Sequence, residues 1–213
     1  MGLLGSWLAA LLVGVGLTGC EADPAGDVDG GVEQGTPVDT GVDQAALDTG
    51  VLDQGSSCPV GAPVVISEDI SEDTTWSCPS YRLSGRIFVV GDSTLTIAPG
   101  TQILGNTSFA ETAALVVTRG SELVAVGTAE LPIVFTSGHA EGSRTPGDWI
   151  GVNLLGNATI NSGTDNGGVL EGRLEGFGID GRTLYGGSQD TSRCGHLEYV
   201  RIECAGYGFD TAQ

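Results

Sequence analysis

Ile87-Phe88-Val89-Val90, Leu95-Thr96-Ile97, Gln102-Ile103-Leu104, Leu115-Val116-Val117, Leu123-Val124-Ala125-Val126 and Ile133-Val134-Phe135 are short apolar runs between residues 87 and 135. Each favours Val, Ile and Leu and stops near Gly, Asn, Ser or Pro, which is the composition of strands and their turns. Trp149-Ile150-Gly151-Val152-Asn153-Leu154-Leu155 and Leu197-Glu198-Tyr199-Val200-Arg201-Ile202 continue the series. Beyond the first twenty residues no segment sustains a helical period. The spacing chooses the architecture. Leu95 to Leu115 is 20 residues, and Leu115 to Ile133 and Ile133 to Gly151 are 18 each. A recurring interval near that length, holding a few short strands, reads as one coil of a solenoid. Stacked coils pair each backbone with the coils above and below, and small aliphatic side chains fill the interior. The expectation is an all-β, right-handed parallel β-helix over residues 58–213. An immunoglobulin-like sandwich would alternate more regularly and bury a Trp between paired cysteines, an arrangement this chain lacks.

The chain opens differently. An uncharged apolar run from Leu3 ends in Leu17-Thr18-Gly19-Cys20. The run is too short for a membrane span, which needs about 20 residues, and fits a removable secretory signal. Small residues before a cysteine form the pattern of a bacterial lipoprotein signal, in which the cysteine is acylated and becomes the first mature residue. One departure stands out: only the Met1 amine supplies the usual positive end. The expectation is a signal peptide over residues 1–19, lipidation at Cys20 and a bacterial cell-envelope location on the exported side. Lipid on Cys20 would make the membrane a partner, since each buried methylene contributes about 0.8 kcal/mol and two or more chains anchor stably.

Residues 20–57 read as a tether. From Glu21 they hold nine carboxylates, no positive charge and no aromatic residue. Such a stretch cannot bury enough apolar surface to offset its ordering entropy, and its charges repel. An acidic, disordered linker is expected, holding the domain away from the lipid. Over the whole chain 27 acidic residues face 8 basic ones, all arginine, for a net charge of −19. That excludes nucleic acid as a partner, because phosphate binding needs a basic surface.

Four cysteines follow Cys20: Cys58, Cys78, Cys194 and Cys204. Export places them in an oxidising compartment, so all four are candidates for disulfides. Cys58 with Cys78 would pin the start of the domain. Cys194 and Cys204 pair with each other or with residues outside this chain. No CxxC spacing or nearby histidine pair favours zinc, and no cofactor is expected.

Two stretches carry a resemblance. Thr94-Leu95-Thr96-Ile97-Ala98-Pro99-Gly100-Thr101 and Val124-Ala125-Val126-Gly127-Thr128-Ala129-Glu130-Leu131-Pro132-Ile133-Val134-Phe135 look like coils of bacterial β-helix lipoproteins. Gly147-Asp148-Trp149-Ile150-Gly151, Leu155-Gly156-Asn157 and Leu197-Glu198-Tyr199-Val200-Arg201-Ile202-Glu203-Cys204 extend it. The chain is identified by them with a group of exported proteins of pectin-lyase-like fold, over about residues 85–210. The resemblance implies a structural or adhesive role, with glycans or surface proteins as partners. It also implies an incomplete domain, because such proteins generally continue through further coils.

The alternative is a polysaccharide lyase or hydrolase of that fold. Lyase chemistry needs a base beside a carboxylate, helped by calcium or a cation. No lysine exists, leaving Arg173, Arg182, Arg193 and Arg201, with Asp148, Asp165, Asp180 and Asp190 as the acids. The Asn-x-Asp, Asp-Asp and Gly-His-Gly signatures of the fold's hydrolases are missing, and Arg201-Ile202-Glu203 only partly echoes their Arg-Ile-Lys. His139 and His196 lack a Gly-x-Ser-x-Gly elbow. Gly176-Phe177-Gly178-Ile179-Asp180 and Gly206-Tyr207-Gly208-Phe209-Asp210 each match part of a calcium nonapeptide, yet lie 30 residues apart, where that chemistry needs consecutive repeats. Trp76, Trp149, Tyr81, Tyr185 and Tyr207 could stack on sugars, although in a small-residue solenoid aromatics more often cap the core. No catalytic residue is assigned.

Overall fold

The computed structural model describes residues 58–106 and 112–208. The expected signal peptide, Cys20 and the tether lie outside the described residues. From Val64 the chain winds through three parallel sheets in turn. The first coil holds β1 (Val64–Ile66), a single bridge from Ile70 to Val89, and β2 (Thr74–Trp76). The second holds β3 (Ser80–Leu83), β4 (Arg86–Val89) and β5 (Thr94–Ile97), and the third β6 (Gln102–Gly105), β7 (Ala114–Val117) and β8 (Glu122–Val126). The fourth begins with β9 (Ile133–Ser137) and β10 (Gly151–Leu154). A detour follows through β11 (Thr164–Asn166), β12 (Val169–Arg173) and β13 (Leu184–Tyr185), and the coil closes with β14 (Gly195–Glu198) before β15 (Val200–Ile202). The sheets run β1-β3-β6-β9-β15, β10-β7-β4 and β14-β8-β5-β2; β11-β12-β13 is a separate antiparallel sheet.

Parallel register stacks like on like. Val64, Tyr81, Ile103, Phe135 and Ile202 form one ladder, and Trp76, Ile97, Ala125 and Leu197 another. Leu83, Leu95, Ile103, Leu115, Leu123, Ile133 and Phe135 are fully buried in one continuous core. Each such aliphatic side chain contributes about 1.5–3 kcal/mol on burial. Two matching turns join the second sheet to the third: Val90-Gly91-Asp92-Ser93 and Thr118-Arg119-Gly120-Ser121, each closed by a backbone bond from its last residue to its first. Gly91, Asp92 and Gly120 take positive φ there. Asp69 and Asp73 accept from the backbone N–H groups of Phe88 and Thr94, covering donors at the edge near the first coil.

The coil interval is where structure and spacing part. Leu95 pairs with Leu123, Leu115 with Val152 and Ile133 with Val200. Leu95, Leu115 and Ile133 therefore lie on three different sheets, and the interval near 20 links strands that do not pair. Only the early coils have that length: Tyr81 meets Ile103 and Thr75 meets Thr96. The fourth coil carries long insertions at two corners, residues 138–150 between β9 and β10 and residues 155–194 between β10 and β14. The run Leu197–Ile202 is likewise two strands, because Tyr199 turns with φ 49 between β14 and β15.

The longest insertion folds back onto the solenoid. Phe88, Ala114, Val116, Leu155 and Phe177 form a second, smaller core, with Val90, Ile150 and Leu174 packed against it. Phe88, Ala114, Val116 and Leu155 alternate with inward-facing neighbours, so they present an apolar outer face that Phe177 and Leu174 cover.

Candidate functional site

Charges concentrate where the insertion meets the solenoid. Arg182 reaches both Asp69 and Asp180, and its guanidinium lies 3.9 Å from the centre of the Phe88 ring. Arg86 lies 4.4 Å over Phe177, which meets Phe88 edge-on at 6.2 Å. Arg173 donates to the Asp180 carbonyl and Arg119 to Glu171 at 2.6 Å. Asp180 also caps a short 3-10 turn, Gly181–Thr183, by accepting from the Arg182 N–H. The hydrogen bond from the Arg182 side chain holds the Asp180 pKa below its ordinary value. The Arg119 hydrogen bond, then that from Asn166, does the same for Glu171.

The other acids singled out in the sequence stand apart from this cluster. Asp165 accepts from Gly168 and fixes the β11–β12 turn. Asp190 accepts from the Thr159 N–H, which lowers its pKa. Asp148 sits in the β9–β10 corner. Burial alone would raise its pKa, but hydrogen bonds from the Ser137 side chain and from the side chain and backbone of Thr145, with the His139 charge, bring it below the usual value. His139 Nδ1 lies 3.2 Å from the same carboxylate; Ser137 Oγ donates to that acid and accepts from the His139 backbone N–H, not from the imidazole, so no nucleophile–base pair forms. His196 lies 2.7 Å from Glu198 on the exposed side of β14. Arg201 pairs with Glu203 at 3.2 Å.

The aromatic residues separate by burial. Trp76 and Tyr81 stack at 4.7 Å inside the core, and Trp149 is fully buried with its Nε1 donating to the Glu203 carbonyl at 2.8 Å. Tyr207 is half-buried beside them, its N–H donating to the Trp149 carbonyl. Tyr185 alone of the five keeps a large exposed surface, 36%. Its ring lies over Gly172, where a Cβ would come within 2.3 Å of Cζ. Tyr185 lines a cavity of about 330 Å³ with Asn153, Leu154, Ile160, Leu174 and Gly186. Asn153 is the member missed in the sequence, hidden in the apolar run of β10. It pairs with Val116 and so faces outward, toward the insertion. Its Nδ2 is buried and meets no acceptor. A second cavity, of about 440 Å³, is lined by Asp165, Glu171 and Arg173, all engaged as above.

Cys58 and Cys78 are joined by a disulfide. Cys194 and Cys204 are not joined to each other, which corrects the pairing considered between them. Cys194 precedes β14 and Cys204 follows β15, so two strands and the corner at Tyr199 lie between them. The nonapeptide match at residues 176–180 is used structurally, with Phe177 in the second core and Asp180 on the 3-10 turn. Phe209 and Asp210 of the second match lie outside the described residues. Among the described residues no three His, Cys, Asp or Glu side chains gather as a metal-binding group.

A family model described as a pectate-lyase-like β-helix domain matches residues 68–213. No curated protein and no solved structure matches the chain.

Proposed function

The chain belongs to the pectate-lyase-like β-helix family, and from that premise we propose that it is a lipid-anchored, glycan-binding protein of the bacterial cell envelope without catalytic chemistry of its own. The observation that carries this reading is the state of the charged groups at the insertion. Glu171 and Asp180 are each tied to an arginine and held below their ordinary pKa. Glycoside hydrolysis needs one carboxyl kept protonated by a raised pKa. A lyase base needs a proton acceptor not already engaged. Paired in this way, the groups lock the insertion to the solenoid, and Tyr185 is left beside an uncharged cavity. The box Leu17-Thr18-Gly19-Cys20 and the acidic segment after it support anchoring at a distance from the lipid. The net charge of −19 favours uncharged glycans over acidic ones, which it would repel.

The test uses the full chain expressed in a bacterial host. Native protein should sediment with membranes, Cys20→Ser should move to the soluble exported fraction, and intact mass should give residues 20–213 plus acyl chains. Purified protein should be retained on insoluble envelope polysaccharide. An unmodified mass or failure of retention would refute the reading. The closeness of Glu171, Arg173, Asp180 and Arg182 is the feature that favours the alternative, a polysaccharide lyase or hydrolase, which product release from the same polysaccharide would reveal.

A further inference from the structure

We propose that Asn166 is a self-modifying site: the Gly167 main-chain nitrogen displaces its side-chain nitrogen, leaving aspartate or isoaspartate at the tip of the β11–β12 hairpin and unlatching β11 from the insertion.

The sequence supplies the reacting pair. Of the five asparagines, Asn106, Asn153, Asn157, Asn161 and Asn166, only Asn166 precedes glycine. Ring closure needs the following nitrogen to swing onto Cγ, and glycine has no Cβ to obstruct that approach or to restrict the backbone. The hairpin leaves the pair open to water. Gly167 and Gly168 take φ 69 and 93, the two left-handed positions of a two-residue turn. Asn166, Gly167 and Gly168 are all exposed, and among the described residues nothing accepts from the Gly167 N–H. β11 is three residues long with every one exposed, and Asn166 with Val169 is its last pair before the turn. Opening of so short an end costs little, so the backbone reaches the closing geometry without disturbing the solenoid.

Water is the one co-reactant. The Gly167 nitrogen bonds to Asn166 Cγ and gives up its proton; the Cγ–Nδ2 bond breaks and Nδ2 leaves as ammonia. Water then adds to either carbonyl of the cyclic imide. Opening on one side restores the main chain with an aspartate side chain. Opening on the other routes the main chain through Cγ as isoaspartate.

Glu171 determines what the product does. Asn166 Nδ2 donates to Glu171 Oε2 at 3.0 Å, while Oε1 takes Arg119. Either product replaces that donor by a carboxylate, on a strand that already carries Asp165. Loss of the hydrogen bond and arrival of a like charge both disfavour ionised Glu171. Isoaspartate also lengthens the main chain by one carbon, which breaks the Asn166–Val169 pairing. β11 then peels away, and the cavity of about 440 Å³ loses the wall formed by Thr164, Asp165 and Asn166.

The experiment ages the purified full-length chain in mildly alkaline buffer, native and in urea. Peptide mass mapping follows each asparagine, and enzymatic methylation detects isoaspartate. In the native chain Asn166 should convert roughly tenfold faster than any other asparagine, the advantage of an unhindered glycine neighbour, with isoaspartate among the products. Asn166→Gln, folded by circular dichroism, should abolish this early conversion. The converted fraction, separated by its extra negative charge, should be cut by protease within residues 160–173 several-fold faster than the unconverted fraction. Conversion in urea but not in the native chain would mean that the hairpin guards the site, and would overturn the proposal. So would conversion led by another asparagine, or a converted fraction cut no faster than the unconverted one.

Discussion

Gly105→Ala should destabilise the protein far more than a single methyl suggests. Gly105 follows Leu83 and precedes Ser137 in one ladder, at an inward position of β6. The space its side chain would fill is occupied by the Trp149 indole: a Cβ would fall 2.7, 2.7 and 2.8 Å from three Trp149 atoms. Comfortable carbon contacts begin near 3.5 Å, so indole or strand must give by about 0.7 Å. The indole is fully buried, and its Nε1 bond to the Glu203 carbonyl resists movement. Overpacking of this kind costs about 1–3 kcal/mol, and losing the Nε1 bond would add about 1–3 kcal/mol more. Replacing glycine in a strand recovers about 0.5–1 kcal/mol. The net expectation is about 3 kcal/mol, read by urea unfolding at 25 °C with tryptophan fluorescence. Trp149→Leu should restore part of that loss in the Gly105→Ala background, as a coupling of about 1–2 kcal/mol in a double-mutant cycle. A neutral Gly105→Ala, or purely additive variants, would refute the packing argument.

Three further outcomes follow from the same contacts. Arg182→Ala removes the cation over Phe88 and the link from Asp69 to Asp180; proteolysis should then cut within residues 156–190 well before the solenoid, with little change at β3–β9. Asp148 has a folded pKa below its ordinary value of 3.8, so its contribution is present above about pH 4 and lost as pH falls through the folded value. Acid unfolding of Asp148→Asn should therefore be less steep below pH 4 than that of the native chain. Cys58→Ser should cost about 3 kcal/mol, as expected for a disulfide closing a loop of that size, 20 residues apart in sequence, whereas Cys194→Ser should leave stability nearly unchanged.

The strands from Ile87 to Leu155 were legible because a buried parallel strand writes itself as a run of Val, Ile and Leu. β2 and β3 were not, since Thr74–Trp76 and Ser80–Leu83 bury only alternate side chains and carry Thr, Ser and Arg between them. Pairing was harder than existence. Leu115 lies 20 residues from Leu95 in sequence, yet Leu95 meets Leu123, because coil length varies with each corner insertion and no local residue reports it. Tyr199 gave no sign of its corner, as a left-handed tyrosine is uncommon and has no sequence mark. At the candidate site Tyr185 was visible as one aromatic among five. Asn153 was not, because only the packing of the insertion makes its amide both buried and unmet.

The most direct measurement incubates the purified, full-length chain with insoluble envelope polysaccharide and follows two quantities together: protein retained on the solid, and sugar released into solution. Retention on the solid, with no reducing or unsaturated ends released, is the result expected of an anchored binding protein. Release of new ends at a rate that falls on replacing Glu171 or Asp180 would contradict it and make the insertion an active site.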